Sequence, residues 1–187
     1  MTSDIPDNRP PGVSALPLNS LVLRQASQED VPFMVGLRGE FFRELVRQGS
    51  ATRPSETAQD GRQEEAVKVI VEQLQQPDHH YLVMEAEGTR AITGWGKATV
   101  IHQIPGPGFP TGRMGLISSV VVDPAWRGRG IGSTISRELL QWMSAQGVEV
   151  VDLLASNEAA AMYRKLGFSA PVSTALRYLL PENRIGG

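Results

Sequence analysis

Arg127 and Arg129, interleaved with Gly128, Gly130 and Gly132 and followed by Ser133, are the densest group of chemistry-bearing residues in this chain. They stand between the apolar run Val120-Val121-Val122 and a helical pattern that opens at Ile131. A glycine loop ahead of a helix is suited to holding an anion. Glycine lets the backbone take positive φ and come close to a ligand. The first N–H groups of a helix have no partner within it, and its dipole favours negative charge there. Two guanidiniums add fixed charge with several donors each. The predicted chemistry is capture of a phosphate or pyrophosphate.

Further on, Asn157 and Tyr163 belong to a helical stretch, Asn157 to Leu166, with Asn157 as its expected N-cap and Gly167 as its stop. A phenol placed there can give a proton to a leaving group, although a lone tyrosine is also an ordinary core residue. Glu40 and Glu44 (i and i+4 of the first helical pattern) and Glu85 on a strand are candidate bases. Each reads more readily as a solvated surface carboxylate, and Ser118 with Ser119 could instead order a water. His79-His80 lacks a matching zinc ligand set and is read as surface, so no metal site is expected.

The elements that must position these groups follow from periodicity. Leu21–Arg24 is a short strand, and Ser27 with Glu29 and Asp30 caps a helix expected to bury Val31, Met34, Val35, Leu37, Phe41, Leu45 and Val46. Arg47 to Gly61 reads as a loop. A second helix, about Arg62 to Gln76, is expected to bury Ala66, Val69, Ile70 and Leu74 before Pro77-Asp78 ends it. Strands follow at Tyr81–Ala86, at Ala91–Ile101 (where Gly94 and Gly96 imply a bulge or a close backbone approach) and at Gly115–Val122, expected to be buried on both faces. A helix from Gly130 to Gln146 carries the stripe Ile131, Ile135, Leu139, Met143 and stops at Gly147. Strands at Val148–Leu154 and Ser173–Leu180 flank the Asn157 helix. The order β-α-α-β-β-β-α-β-α-β implies an α/β mixed sheet with helices on both faces.

The chain has 187 residues, 41% hydrophobic and 20% charged, with net charge -2 and no cysteine. That suits one domain over 20–187 behind a flexible, proline-rich segment 1–19. Disulfides and thiolate chemistry are excluded. The charge argues against nucleic acid or an anionic membrane as main partner. It also disfavours a phosphate-rich acceptor and leans towards a cationic amine. No signal-like or bilayer-length apolar run is present, so a cytoplasmic protein is expected. A homodimer is compatible with the chain, but no residue points to one.

The glycine loop does not fit a dinucleotide fingerprint, since four residues separate Asp123 from Gly128 and Ser133 occupies the last glycine position. It lacks the Gly-Lys-Ser/Thr ending of a P-loop. Arg127-Gly128-Arg129-Gly130-Ile131-Gly132 resembles the R/Q-x-x-G-x-G/A signature of the GNAT superfamily of N-acetyltransferases. Ser156-Asn157 through Tyr163-Arg164-Lys165-Leu166-Gly167-Phe168 is similar to that family's second cofactor motif, at the family's spacing. By element order the likeness covers about residues 20–180.

The resemblance implies a GNAT-like fold, with a mostly antiparallel central sheet splayed at the cofactor site, and direct acetyl transfer from acetyl-CoA to an amine. The backbone of Val120 and Val122 would pair with the pantetheine arm. Arg127, Gly128, Arg129, Gly130, Ile131, Gly132 and Ser133 would cradle the pyrophosphate. Asn157 and Ala160 would line the arm, and Tyr163 would protonate the departing thiolate. Two other readings stand beside it: a CoA-binding regulatory module without catalysis, and an NAD-dependent enzyme.

Overall fold

The computed structural model describes residues 20–47, 57–107, 110–171 and 176. The expected 1–19 segment therefore lies outside the described residues, as does the expected strand Ser173–Leu180 apart from Leu176. The chain divides into two compact units, one ending at Leu154 and one starting at Ala155.

The first unit carries β1 (Leu21–Gln25), α1 (Val31–Arg47), α2 (Thr57–Gln73), β2 (His79–Ala86), β3 (Ala91–His102), β4 (Arg113–Val122), α3 (Ile131–Ala145) and β5 (Val150–Leu153). The strands form one sheet in the order β1-β2-β3-β4-β5. The first four pair antiparallel, and β5 joins β4 in parallel after the α3 crossover. The expected mixed sheet is observed.

Alternation along β3 sorts the two faces. Trp95 joins Tyr81, Val83 and Val121 in a core with Val31, Met34 and Val35 of α1 and Ile70 of α2. Gly94 and Gly96 face the other way, against α3. A Cβ on Gly96 would stand 2.4 Å from Ile135 Cγ2 and 3.0 Å from Leu139 Cδ1, and one on Gly115 would stand 2.6 Å from Met143 Sδ. The α3 stripe is buried as expected, with Ser136 beside it. Glycine is required here because α3 lies almost on the sheet backbone.

Two bulges break the register. Met84 pairs with Gly94 and Glu85 with Ile92, so Thr93 is the extra residue, next to Gly94 as the glycines implied. The second was not legible. Lys97 pairs with Ser119 and Ala98 with Ile117, leaving Ser118 out of the ladder. Before this bulge, Gly115 and Ile117 share a face with Gly96 and Ala98. After it, Ser119 and Val121 share a face with Lys97 and Trp95. A bulge bends and twists its strand, and this one turns β4 over.

Several expectations need correction. α1 fully buries only Val31, Met34 and Val35; Leu37, Phe41, Leu45 and Val46 are half-buried. α2 starts at Thr57, inside the expected loop, and Val69 is exposed because the amphipathic stripe is narrower than its apolar residues suggest. β4 is not buried on both faces, since burial alternates along it. His80 is no surface residue: its ring stacks on Trp142 at 4.8 Å, and burial lowers its pKa below the usual histidine value.

The second unit contains α4 (Asn157–Lys165). Ser156, not Asn157, is its N-cap, because the Ser156 hydroxyl accepts from Ala159 N–H at 3.3 Å. That leaves the Asn157 side chain exposed in the first turn. Gly167, at φ +100, follows the helix end, and Tyr163 meets Phe168 edge-on at 5.6 Å.

Candidate functional site

The site in the first unit begins where β4 and β5 part. β5 covers only Met114 to Ile117. From the Ser118 bulge to Val122, no described strand of this unit pairs with the outer edge of β4. Asp123 N–H donates to Thr93 O at 2.9 Å, towards β3. Backbone direction alternates along a strand, so Val121 and Ser119 also turn to β3 while Val120 and Val122 turn outward. The two residues singled out for backbone pairing therefore present their amide groups to the open edge. Val122 O accepts there from Arg127 Nε at 3.3 Å.

Asp123 ends the strand and caps the turn Pro124–Trp126, accepting from Ala125 N–H at 2.8 Å. Trp126 is buried, and the Arg129 guanidinium lies 4.8 Å from its ring centroid, a cation–π contact that holds the arginine beside the loop. Gly128 and Gly130 have φ of +75 and +83, with open space where a Cβ would stand. Gly130 is also the N-cap of α3, and no side chain caps this end. The Ile131, Gly132 and Ser133 N–H groups thus precede the first intrahelical bond, which runs from Thr134 N–H to Gly130 O. The strand edge at Val120 and Val122 leads, across a turn whose own N–H groups are bonded within the protein, to the glycine turns and the helix end with its open N–H groups.

The candidate bases are placed differently. Glu44 holds Arg127 through two hydrogen bonds of 2.9 and 2.7 Å, a pair spanning 83 residues that spacing cannot show. The Arg127 hydrogen bond keeps its carboxyl below the usual range, which makes it a poor base. Glu85 is bound by Arg24, which also makes a two-pronged bond to Asp30 at 2.7 and 2.8 Å. A cavity of about 280 Å³ opens there, lined by Arg24, Asp30, Glu85 and Arg90 among others. Its acids are engaged by its own arginines, Asp30 and Glu85 by Arg24 and Glu29 by Arg90, which makes it structural. Glu40 lies half-buried on α1, and Ser119 lies opposite Lys97.

Asn157, Ala160 and Tyr163 belong to the second unit. Asn157 is exposed, Ala160 half-buried and Tyr163 buried. All three fall on α4, as their motif requires.

Residues 41–168 match the model of the acetyltransferase (GNAT) family. The chain is 33% identical over 97 residues to the N-alpha-acetyltransferase RimI of Mycobacterium tuberculosis, a match covering 51% of this chain and 56% of that protein. It is 33% identical over 107 residues to glucosamine 6-phosphate N-acetyltransferase 1 of Oryza sativa, covering 56% and 63%. The matched part thus spans less than two thirds of either relative. A crystal structure of a predicted acetyltransferase with acetyl-CoA from Clostridium acetobutylicum superposes with a TM-score of 0.69 at 21% identity, over 84% of this chain and 96% of that one. The protein belongs to the GNAT acetyltransferase family. Its sheet, splayed at β4, is that family's acyltransferase fold. Among the described residues no helix is long and apolar enough to cross a membrane.

Proposed function

We propose that the protein transfers the acetyl group of acetyl-CoA directly to a primary amine of a small molecule or peptide. The observation that carries this reading is the open edge of β4 at Val120 and Val122, running into positive-φ glycines and an uncapped helix end. The edge has the form that accepts an extended, strand-like arm, and the loop has the donors for a pyrophosphate. Bound there, acetyl-CoA supplies an activated thioester.

The chain's residues divide the work. Val120 and Val122 align the pantetheine arm through their backbone, and residues Arg127 to Ser133 hold the diphosphate, with Asn157 and Ala160 along the arm. Ser118, left outside the ladder, offers backbone at the fork for the oxyanion that acyl transfer generates. The attacking amine must be neutral, and with Glu44 and Glu85 engaged by arginines the proton leaves through Glu40 or through ordered water near Ser118 and Ser119. Tyr163 protonates the departing thiolate. No metal is assigned a role.

Thermal melting with acetyl-CoA, CoA and NADH tests the cofactor. A ligand bound only by the native state adds about 2.7 kcal/mol at a hundredfold excess over its Kd. The CoA species should raise Tm and NADH should not. No rise with acetyl-CoA would remove the proposal, and binding without turnover on an amine panel would favour a regulatory module.

A further inference from the structure

On the α1–α2 face of the sheet, beside the fork in β4, lies a group of donors with no described carboxylate among their partners. Lys97 pairs directly with Ser119, one residue past the bulge. Its ammonium sits 5.5 Å from the Tyr81 ring centroid and donates to Gln73 Oε1 at 2.7 Å. That same oxygen accepts from Tyr81 Oη–H at 2.5 Å. Arg38 of α1 lies over the Phe42 ring at 4.6 Å. Arg38 and Lys97 are both half-buried, and no described carboxylate forms an ion pair with either. Two residues before Lys97 on the same face, the buried Trp95 Nε1–H has no acceptor among the described residues.

Burying cations without an anion is unfavourable. Here burial lowers the pKa of both Arg38 and Lys97, and the Arg38 charge depresses Lys97 further. Burial also pushes the Tyr81 phenol up to about 12, so it remains neutral and cannot balance them. The described residues supply this cluster with no counter-ion, which suits it to an oxyanion from outside.

Resting on the acetyltransferase reading above, we infer that the acceptor amine also carries an oxyanion, a carboxylate or a phosphate, which seats between Arg38 and Lys97. An arm that runs along β4 from the glycine loop back to the fork brings its reactive end next to Ser119, and hence next to Lys97 on the neighbouring strand. The seat then holds the acceptor's anionic end while its amine faces the fork. The small negative net charge of the whole chain does not oppose this, because a pocket responds to the charges that line it.

The test uses the whole protein saturated with CoA, which occupies the diphosphate loop, and titrates it at fixed ionic strength with inorganic phosphate and, separately, with acetate. Wild type should gain about 4 °C in Tm at a tenfold excess over Kd with the preferred anion. The gain should vanish in Lys97→Met and in Arg38→Met, each of which should melt no lower than wild type because a half-buried unpaired cation is gone. Which anion acts distinguishes phosphate from carboxylate. Turnover of glucosamine 6-phosphate against glucosamine, and of serine against serinamide, should favour the matching anionic member about tenfold in kcat/KM, the size of one charge-assisted hydrogen bond. No gain in wild type with either anion, or an equal gain in both variants, overturns the inference. CoA binding by calorimetry is read separately, so loss of the cofactor reading is told apart from loss of the anion seat.

Discussion

Replacing Gly96 by alanine tests how closely the proposed cofactor loop depends on the floor beneath α3. The new Cβ would stand 2.4 Å from Ile135 Cγ2 and 3.0 Å from Leu139 Cδ1, where ordinary carbon contacts are about 3.5–4.0 Å. Ile135 and Leu139 are fully buried, and a β-branched methyl has no free torsion by which to withdraw. More than an ångström of relief must therefore come from displacing α3. Overpacking of this kind costs about 1–3 kcal/mol, and the two contacts argue for the upper end. Reduced backbone entropy of the unfolded chain returns up to about 1 kcal/mol, which leaves a net loss of about 2 kcal/mol. For a chain of this size that lowers Tm by about 6 °C.

Because α3 carries the Gly130 cap and the N–H groups after it, acetyl-CoA affinity should fall in the same variant. The assays are urea unfolding and calorimetry. Ile135→Ala alone should cost about 3 kcal/mol, and in that background Gly96→Ala should cost at least about 1 kcal/mol less than in wild type. A Gly96→Ala protein as stable as wild type, or a cost undiminished by Ile135→Ala, would refute the close-packing argument.

Gly130→Trp should abolish acetyl-CoA binding while the protein still melts cooperatively, since the site is open but its φ is +83; calorimetry with unchanged affinity would move the diphosphate elsewhere. Tyr163→Phe should lower kcat at least tenfold with cofactor affinity near wild type, an effect in the usual range of about 10²–10⁴ for a proton donor or somewhat below it; a full-rate variant would return Tyr163 to a packing role. Asp30→Asn should cost about 1–2 kcal/mol in urea unfolding, because it removes the charge from one of the two carboxylates that hold Arg24, leaving Glu85, and weakens the Ser27 cap. Burial alone would raise the Asp30 carboxyl, but hydrogen bonds from Arg24 and Ser27 leave it below its ordinary value. Its contribution should be complete above the unfolded-state pKa of about 3.9 and fade as pH falls through the lower folded-state one. The Asp30→Asn variant should accordingly lose less stability than wild type on acidification.

Much of the site was legible in one dimension because it is built from local backbone. Gly128 and Gly130 take positive φ, and Ile131 opens a helix whose stripe is buried as periodicity requires. A glycine turn and a helix N-terminus are set by residues within a few positions of one another, so their chemistry can be read from spacing. The family resemblance came from the same short stretches, and the match over residues 41–168 supports it. Asn157 was misread as a cap because a serine one residue earlier serves equally well, and only geometry separates them.

What linear order could not show are the contacts between distant residues. Glu44 looked like a candidate base and is instead clamped to Arg127, 83 residues away. Nothing in linear order links Lys97 to Arg38; α1, α2 and the sheet bring both to one face, half-buried, with no described carboxylate paired to either. The Ser118 bulge that turns β4 over depends on the register of β3 against β4, which is a property of the pair. The sequence by itself determined most element types and the glycine loop proposed to hold the diphosphate, because these follow from periodicity and backbone freedom over short spans. Only the tertiary structure decided which charges meet, which stay unbalanced and where the sheet opens, because those depend on how separate elements pack.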